Sequence, residues 1–257
     1  MSAALGPICG AVIGICACGG DGAAGSERAS LVVFAAASLK APLERYAAKL
    51  RSSPGVSVRY SFAGSGLLAA QIEEGLRPDV FASANLKLPR RLRSHGMVQT
   101  PVAFATNRLV LAFAAGSSKI SSLGDLARRG VAIAIGSAAV PVGEYARILI
   151  SRLPARLRRA VLAGIRDEEP DVSGIVGKLS QRAVDAGFVY ASDVTAAGGA
   201  LRAVAIPASL APPVAYAAAV VNGTRQAAPA RAYIAGLVSG AGRRALAQAG
   251  FLPAPAP

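Results

Sequence analysis

At 257 residues, with 53% apolar and 16% charged residues, the chain is globular rather than disordered and has room for one large domain or two lobes of about 100 residues each. The formal net charge is +14, but the basic residues are scattered or in short pairs (Arg90-Arg91, Arg128-Arg129, Arg158-Arg159, Arg243-Arg244). With no basic stripe interleaved with aromatics and no nucleic-acid module, they read as an Arg-rich solvated surface that can assist anion capture at long range, with no nucleic-acid partner.

All three cysteines, Cys9, Cys16 and Cys18, precede residue 19, so the body relies on neither disulfides nor thiol ligands. Residues 3–17 are apolar and small-residue-rich, and a polar, glycine-rich stretch follows. Segment 1–29 therefore reads as an export signal and flexible linker. Ile15-Cys16-Ala17-Cys18 resembles a bacterial lipobox, which makes Cys18 the lipidation candidate. The expected location is periplasmic or cell-surface, with a lipid on Cys18 as the anchor. Beyond residue 30 no apolar run approaches the roughly 18 residues of a membrane span.

From Leu31 onward short apolar runs alternate with amphipathic stretches, the sign of an α/β chain with largely parallel strands. "LVVFAAA" (31–37) predicts a strand. "LKAPLERYAAKL" (39–50) predicts a helix, with Leu39, Leu43, Tyr46 and Leu50 at helical spacing and Pro42 in the first turn. "VSVRYSF" (56–62) is a strand, "GLLAAQIEEG" (66–75) a helix ending at Gly75, "DVFASA" (79–84) a strand and "LKLPRRLRSHG" (86–96) a helix. "RLVLAFAAG" (108–116) and "VAIAIG" (131–136) are strands flanking a short helix, "SSLGDLARRG" (121–130). Helices follow at 143–153 and 171–182, a buried strand at 187–191, and late strands at 201–206 and 213–221. Residues 226–250 close the chain with two helices. The runs around 104–110 and 206–216 read as crossings between lobes. One lobe then comprises 30–106 plus 214–257, the other 107–213, with the ligand cleft between them.

Three junctions share the order strand, small residues, polar residue, helix. They are Ala37-Ser38, Gly64-Ser65-Gly66, and the loop "GSAAVPVGEYARIL" (136–149). Helix starts carry unpaired N–H groups and partial positive charge, so they hold anions without a formal cation. A single serine there is ordinarily a cap, as Ser65 could be for the helix that follows; three such junctions in one chain point toward an anion.

These residues carry a family resemblance. "VFAAASL", "SFAGSGLLAAQIEEG", "PDVFASAN", "NRLVLAF", "VPVGEYA", "PDV" and "GFVYASD" occur in the order and spacing of the periplasmic molybdate-binding proteins of ABC transporters. The likeness runs from Leu31 to Phe251. It implies a two-lobed periplasmic-binding-protein fold, each lobe a mixed, mostly parallel sheet flanked by helices. A tetrahedral oxyanion is held between the lobes without cofactor, metal cation or catalysis. Carried over, it assigns oxyanion contacts to Ser38 and Ser65 through hydroxyl and backbone N–H, to Val142 and Val172 through backbone N–H, and to the Tyr190 hydroxyl. It implies a monomer that captures molybdate, and nearly isosteric tungstate, for a membrane permease. The alternatives are another oxyanion such as sulfate, or a sensor not coupled to transport.

The chemistry of that set is consistent with a dianion. Molybdate and sulfate are fully deprotonated near neutral pH and need donors only, whereas phosphate keeps a proton and wants an acceptor. None of the five positions is acidic, and buried donors left unpaired cost about 1–3 kcal/mol each. The chain departs from the family at Gly136-Ser137-Ala138, where Gly-Asp-Pro is common. Val142 stands where a smaller residue is usual, and Asn85 where Asp is frequent. Glu144, on a first helical turn, is expected to face solvent and interact with the helix dipole; Lys40 is expected to face away from the site.

An enzyme reading finds no support. Gly64-Ser65-Gly66 lacks the G-x-S-x-G spacing. The sole histidine, His95, reads as part of a helix C-terminus, and no His or Cys spacing suits a metal. Asp167, Glu168, Glu169 and Asp171 read as a solvated loop and cap.

Overall fold

Along the first strand, β1 (Ala29–Ala36), side chains alternate. Leu31, Val33 and Ala35 join the core on one face and Phe34 a second cluster on the other, and both sides are buried. A strand covered on both faces needs a continuous apolar run, which "LVVFAAA" supplies. The structure, a computed structural model, describes residues 29–51 and 56–254. The predicted export segment, apart from Ala29, and its Cys18 lie outside them.

Next come α1 (Lys40–Arg51), β2 (Val56–Ala63), α2 (Ser65–Glu73), β3 (Val80–Ser83), α3 (Lys87–Ser94), β4 (Val102–Asn107) and β5 (Leu109–Ala114). Then follow β6 (Ile133–Gly136), α4 (Pro141–Ser151), α5 (Ala155–Gly164), β7 (Ile165–Glu169), α6 (Val172–Ser180), β8 (Ala186–Tyr190), α7 (Ala191–Ala196) and β9 (Leu201–Ala205). The chain closes with β10 (Val214–Val220), α8 (Ala227–Ser239), α9 (Ala241–Gln248) and β11 (Leu252–Pro253).

The strands form two sheets, ordered β11-β4-β10-β3-β1-β2 and β7-β6-β8-β5-β9. The first draws on the two ends of the described chain and the second on its middle. Each contains a parallel trio, β2-β1-β3 and β7-β6-β8. The remaining pairings, made by β4, β5, β9, β10 and β11, are antiparallel, so the sheets are more evenly mixed than the expected mostly parallel arrangement. The reason is connectivity. Only Arg108 separates β4 from β5, so the chain passes from one sheet straight into the other, and β10 brings it back in the opposite sense.

Helices cover the sheets as amphipathic spacing predicts. Leu43, Tyr46 and Ala47 of α1 are buried, and Leu43 and Tyr46 share the main core with Tyr233, Ile234 and Leu237 of α8. Leu68 and Ile72 of α2 and Leu88 and Leu92 of α3 join Phe34 and Phe81 on the opposite face. In the second sheet, α4 contributes Ala146, Leu149 and Ile150, and α6 contributes Ile175 and Leu179.

Some elements differ from the sequence reading. Residues 121–130 form only a short 3-10 turn, Leu123–Ala127, held by Ser122 and Asp125 capping one another. The strand β4 and the helices α5 and α7 have no counterpart in the sequence pattern. Nor has β7. Its "IRDEE" reads as a solvated loop because an edge strand leaves alternate side chains in water, where charge is tolerated. Arg147 meets Glu168 at 2.7 Å, and Lys178 meets Asp167 at 2.6 Å and Glu169 at 3.1 Å.

Candidate functional site

Both parallel trios direct their carboxyl ends to one inter-lobe junction, where α/β sheets place their ligands. Ser38 follows β1 in a single 3-10 turn, Ala37–Leu39, so α1 starts only at Lys40 and Ser38 does not cap it. Its buried hydroxyl lies 3.0 Å from the hydroxyl of Tyr216 on β10. Ser65 follows β2 and is also no cap, because Gly64 holds that position and Ser65 is the first residue of α2. Its Oγ accepts the Ala84 N–H at 3.1 Å, which leaves its own proton to be donated elsewhere. The glycines on either side admit the opposite lobe. A Cβ at Gly64 would overlap the Pro170 carbonyl oxygen and lie 2.7 Å from Val140 Cγ1; one at Gly66 would overlap the Ala139 carbonyl. Glycine is required here for close approach.

On the second lobe, Pro141 opens α4 and Val142 is its second residue. Proline suits that first position because it has no N–H to leave unpaired, and the Val142 N–H falls among the first-turn amides with no acceptor inside the helix. Val172 opens α6. The Asp171 carboxylate before it accepts from Ser173 N–H at 2.7 Å and Gly174 N–H at 3.3 Å, so the predicted cap bypasses the Val172 amide.

Tyr190 ends β8. Among the described residues its hydroxyl is the one buried side-chain polar atom without a hydrogen-bond partner. Burial pushes it well above the usual tyrosine range, so it remains protonated and able to donate. Its ring stands edge-on to Tyr216 at 5.9 Å and Tyr145 at 6.4 Å.

These contacts gather the sequence-predicted residues. Gly64, next to Ser65, touches Val140 and Pro170, which lie two residues before Val142 and Val172. Tyr216, bonded to Ser38, packs on Tyr190. Beside Ser38 an open cavity of about 320 Å³ lies between the lobes, lined also by Lys40, Glu44, Ser173 and Asp193. Lys40 is exposed at the rim of this cavity.

Glu144 departs from expectation. Instead of facing solvent, it spans the lobes, accepting from Lys87 Nζ at 2.8 Å and Asn85 Nδ2 at 3.4 Å. Asn85 is set for this role, because its Oδ1 already accepts from Ser83 Oγ at 3.2 Å and Leu88 N–H at 3.0 Å. A carboxylate at position 85 would instead face Glu144 with like charge. Next to it, the Tyr145 hydroxyl donates to the Ala84 carbonyl at 3.3 Å.

Sequence reasoning missed Tyr216, Asn107, Ser192 and Asp193. Asp193 is buried, and its Oδ2 accepts the Tyr190 N–H at 2.8 Å. Burial pushes its carboxyl up to about 7 against the opposing effect of that bond. The one available signal was a hydroxyl-bearing aromatic inside the Ala/Val run of β10. His95 caps the C-terminus of α3, with Nδ1 3.7 Å from the Glu73 carboxylate.

Two sheets whose parallel strands end on a shared junction have the architecture of a two-lobed solute-binding protein, and the chain belongs to the bacterial extracellular solute-binding protein family, which it matches over residues 31–252. It is 35% identical to the molybdate-binding protein ModA of Mycobacterium tuberculosis over 249 residues, 93% of this chain and 93% of that protein. Among solved structures, the substrate-binding domain assigned to a molybdenum ABC transporter from Clostridium difficile is 27% identical with a TM-score of 0.68, over 88% of this chain and 100% of that one. The sulfate-binding protein SubI of Mycobacterium tuberculosis has a TM-score of 0.78 at 18% identity, over 88% of this chain and 87% of that one, a likeness of fold alone.

Proposed function

We propose that this protein captures molybdate between its two lobes and delivers it to an ABC-type permease in the membrane, acting by binding and not by catalysis. The observation that carries the reading is the Tyr190 hydroxyl, a fully buried donor with no acceptor among the described residues, set among residues that offer further donors. A buried donor without a partner costs about 1–3 kcal/mol, and an anion seated in the cleft would repay that cost. The cage is Ser38 and Ser65 from the first lobe, with the Val142 and Val172 amides and the Tyr190 hydroxyl from the second.

The lobes, 30–106 plus 214–257 and 107–213, hinge where β4 runs into β5 and where β9 returns to β10. An anion that touches both lobes favours the closed state by its differential affinity for it. Tungstate, nearly isosteric, binds in the same way. The protein works outside the cytoplasm, as its family does, with the lipid on Cys18 as its anchor and the monomer as its working form.

A thermal-shift panel of molybdate, tungstate, sulfate and phosphate tests the assignment. A ligand at 1,000 times its Kd stabilises by about 4 kcal/mol, which raises Tm by roughly 8–16 °C for a chain of this size. Molybdate and tungstate should do so, sulfate less. A shift with phosphate alone, or with none of the four, would refute the reading.

A further inference from the structure

The hydroxyl of Ser38 does not stand alone in the cleft wall. It meets the Tyr216 hydroxyl at 3.0 Å, on a ring that is wholly buried between Phe104, Tyr190 and Phe251. The Asn107 side chain, at the crossing between β4 and β5, acts on the same phenol and holds its pKa down against the larger effect of burial. Asn107 Nδ2 donates to Ser192 Oγ on α7 at 2.8 Å, and its Oδ1 accepts the Arg108 N–H at 2.8 Å. The Ser38–Tyr216 pair of the first lobe therefore stands beside an Asn107–Ser192 pair that reaches into the second.

Geometry alone leaves either hydroxyl free to donate across the Ser38–Tyr216 contact; the chemistry of the ligand decides between them. A serine hydroxyl has a single proton. If Ser38 spends it on Tyr216, only lone pairs remain for an anion that itself offers only lone pairs. If Tyr216 donates, the Ser38 proton is released toward the cleft. The Asn107 amide favours that direction: its effect on the phenol opposes that of burial, as an N–H aimed at the phenol oxygen does, and a phenol oxygen that accepts keeps its own proton for Ser38.

We propose that Tyr216 is a positioning residue for oxyanion binding: its hydroxyl, oriented by Asn107, donates to Ser38 Oγ and so turns the Ser38 proton onto the anion. This rests on the assignment of Ser38 to the cage. Because Asn107 lies at a crossing and is bonded to the second lobe, it ties the orientation of a first-lobe donor to the relative position of the lobes. Burial keeps the phenol protonated, so it has a proton to give throughout the neutral range. Cooperative bonds of this kind strengthen one another, and only a cycle of variants separates their shares.

The experiment is a double-mutant cycle of Tyr216→Phe and Ser38→Ala in the full chain, with molybdate affinity read by calorimetry. Tyr216→Phe keeps the ring and its packing and should lower affinity about 5- to 20-fold when Ser38 is present, the range of one buried hydrogen bond. In the Ser38→Ala background the same change should cost less than about twofold, because no proton remains to orient. Equal factors in both backgrounds would mean a merely structural tyrosine and overturn the proposal, as would no change in either. If Ser38→Ala itself leaves molybdate affinity intact, the cage assignment fails as well, which the single variant shows before the cycle is read. Should Tyr216→Phe not fold, Asn107→Asp, which accepts from Tyr216 and draws its proton away from Ser38, must lower affinity more when Ser38 is present than in the Ser38→Ala background; an equal loss overturns the proposal.

Discussion

Gly66→Ala puts the closed-cleft reading under direct strain. A methyl group at Gly66 would sit 3.0 Å from the Ala139 carbonyl carbon and inside the contact distance of its oxygen, across the junction between lobes. Backbone on both sides cannot step aside, so the lobes must part by about 1 Å or more to restore ordinary separation. A donor moved that far leaves the hydrogen-bonding range of roughly 2.7–3.2 Å. If the Val142 and Val172 amides both lose the anion, at about 1.5–3 kcal/mol for each charge-assisted bond, the loss is about 3–6 kcal/mol. Molybdate affinity should then fall by about two to four orders of magnitude. The ligand-free protein should melt no lower than before, because alanine near the start of α2 gains up to about 1 kcal/mol in helix propensity. Calorimetry for binding and thermal unfolding without ligand separate these opposite effects. Affinity within a few-fold of the unaltered protein, with the fold intact, would refute the reasoning.

Tyr190→Phe removes the unpartnered hydroxyl; molybdate affinity should fall about 10- to 100-fold while ligand-free stability holds or rises, and unchanged affinity would exclude this phenol from the cage. Lys87→Met breaks the ion pair with Glu144, whose side chains are 71% and 31% exposed, so screening limits the effect to about 1 kcal/mol or less. Molybdate dissociation should accelerate about two- to fivefold at low salt and less at high salt, with no change in ligand-free Tm; a salt-independent factor would show that the pair is not acting as a latch. Asp193 rises from 3.8 to about 7 on folding, chiefly by burial, so between those values the folded state binds more protons than the unfolded one. Stability therefore falls as pH rises from about 4 to about 7, by up to about 1.4 kcal/mol per unit, and is level above. Asp193→Asn keeps an acceptor for the Tyr190 N–H and should flatten that part of a Tm-against-pH curve; an unaltered slope would assign it to other groups.

The alternation of strands and helices and the small-residue junctions after β1 and β2 are legible in the chain alone, because both depend on local chemistry. Apolar periodicity sets which faces are buried, and glycine or serine at a strand end can be read one residue at a time. Ser38 and Ser65 stand out as polar residues at helix starts, but whether their hydroxyls cap those helices depends on a 3-10 turn and a Gly64 cap settled by the packed backbone. Charge hides β7, since an edge strand tolerates "IRDEE" as readily as a loop does. Which distant residues meet is a matter for tertiary packing. Tyr216 lies 178 positions from Ser38, and their hydroxyls meet because β10 returns beside β3 after the excursion through the second sheet. Lys87 and Glu144 are 57 positions apart and belong to different lobes. No local pattern encodes a contact whose partners are brought together by the crossing of two lobes, and for that reason the orientation of Glu144 could not be read from its own helix.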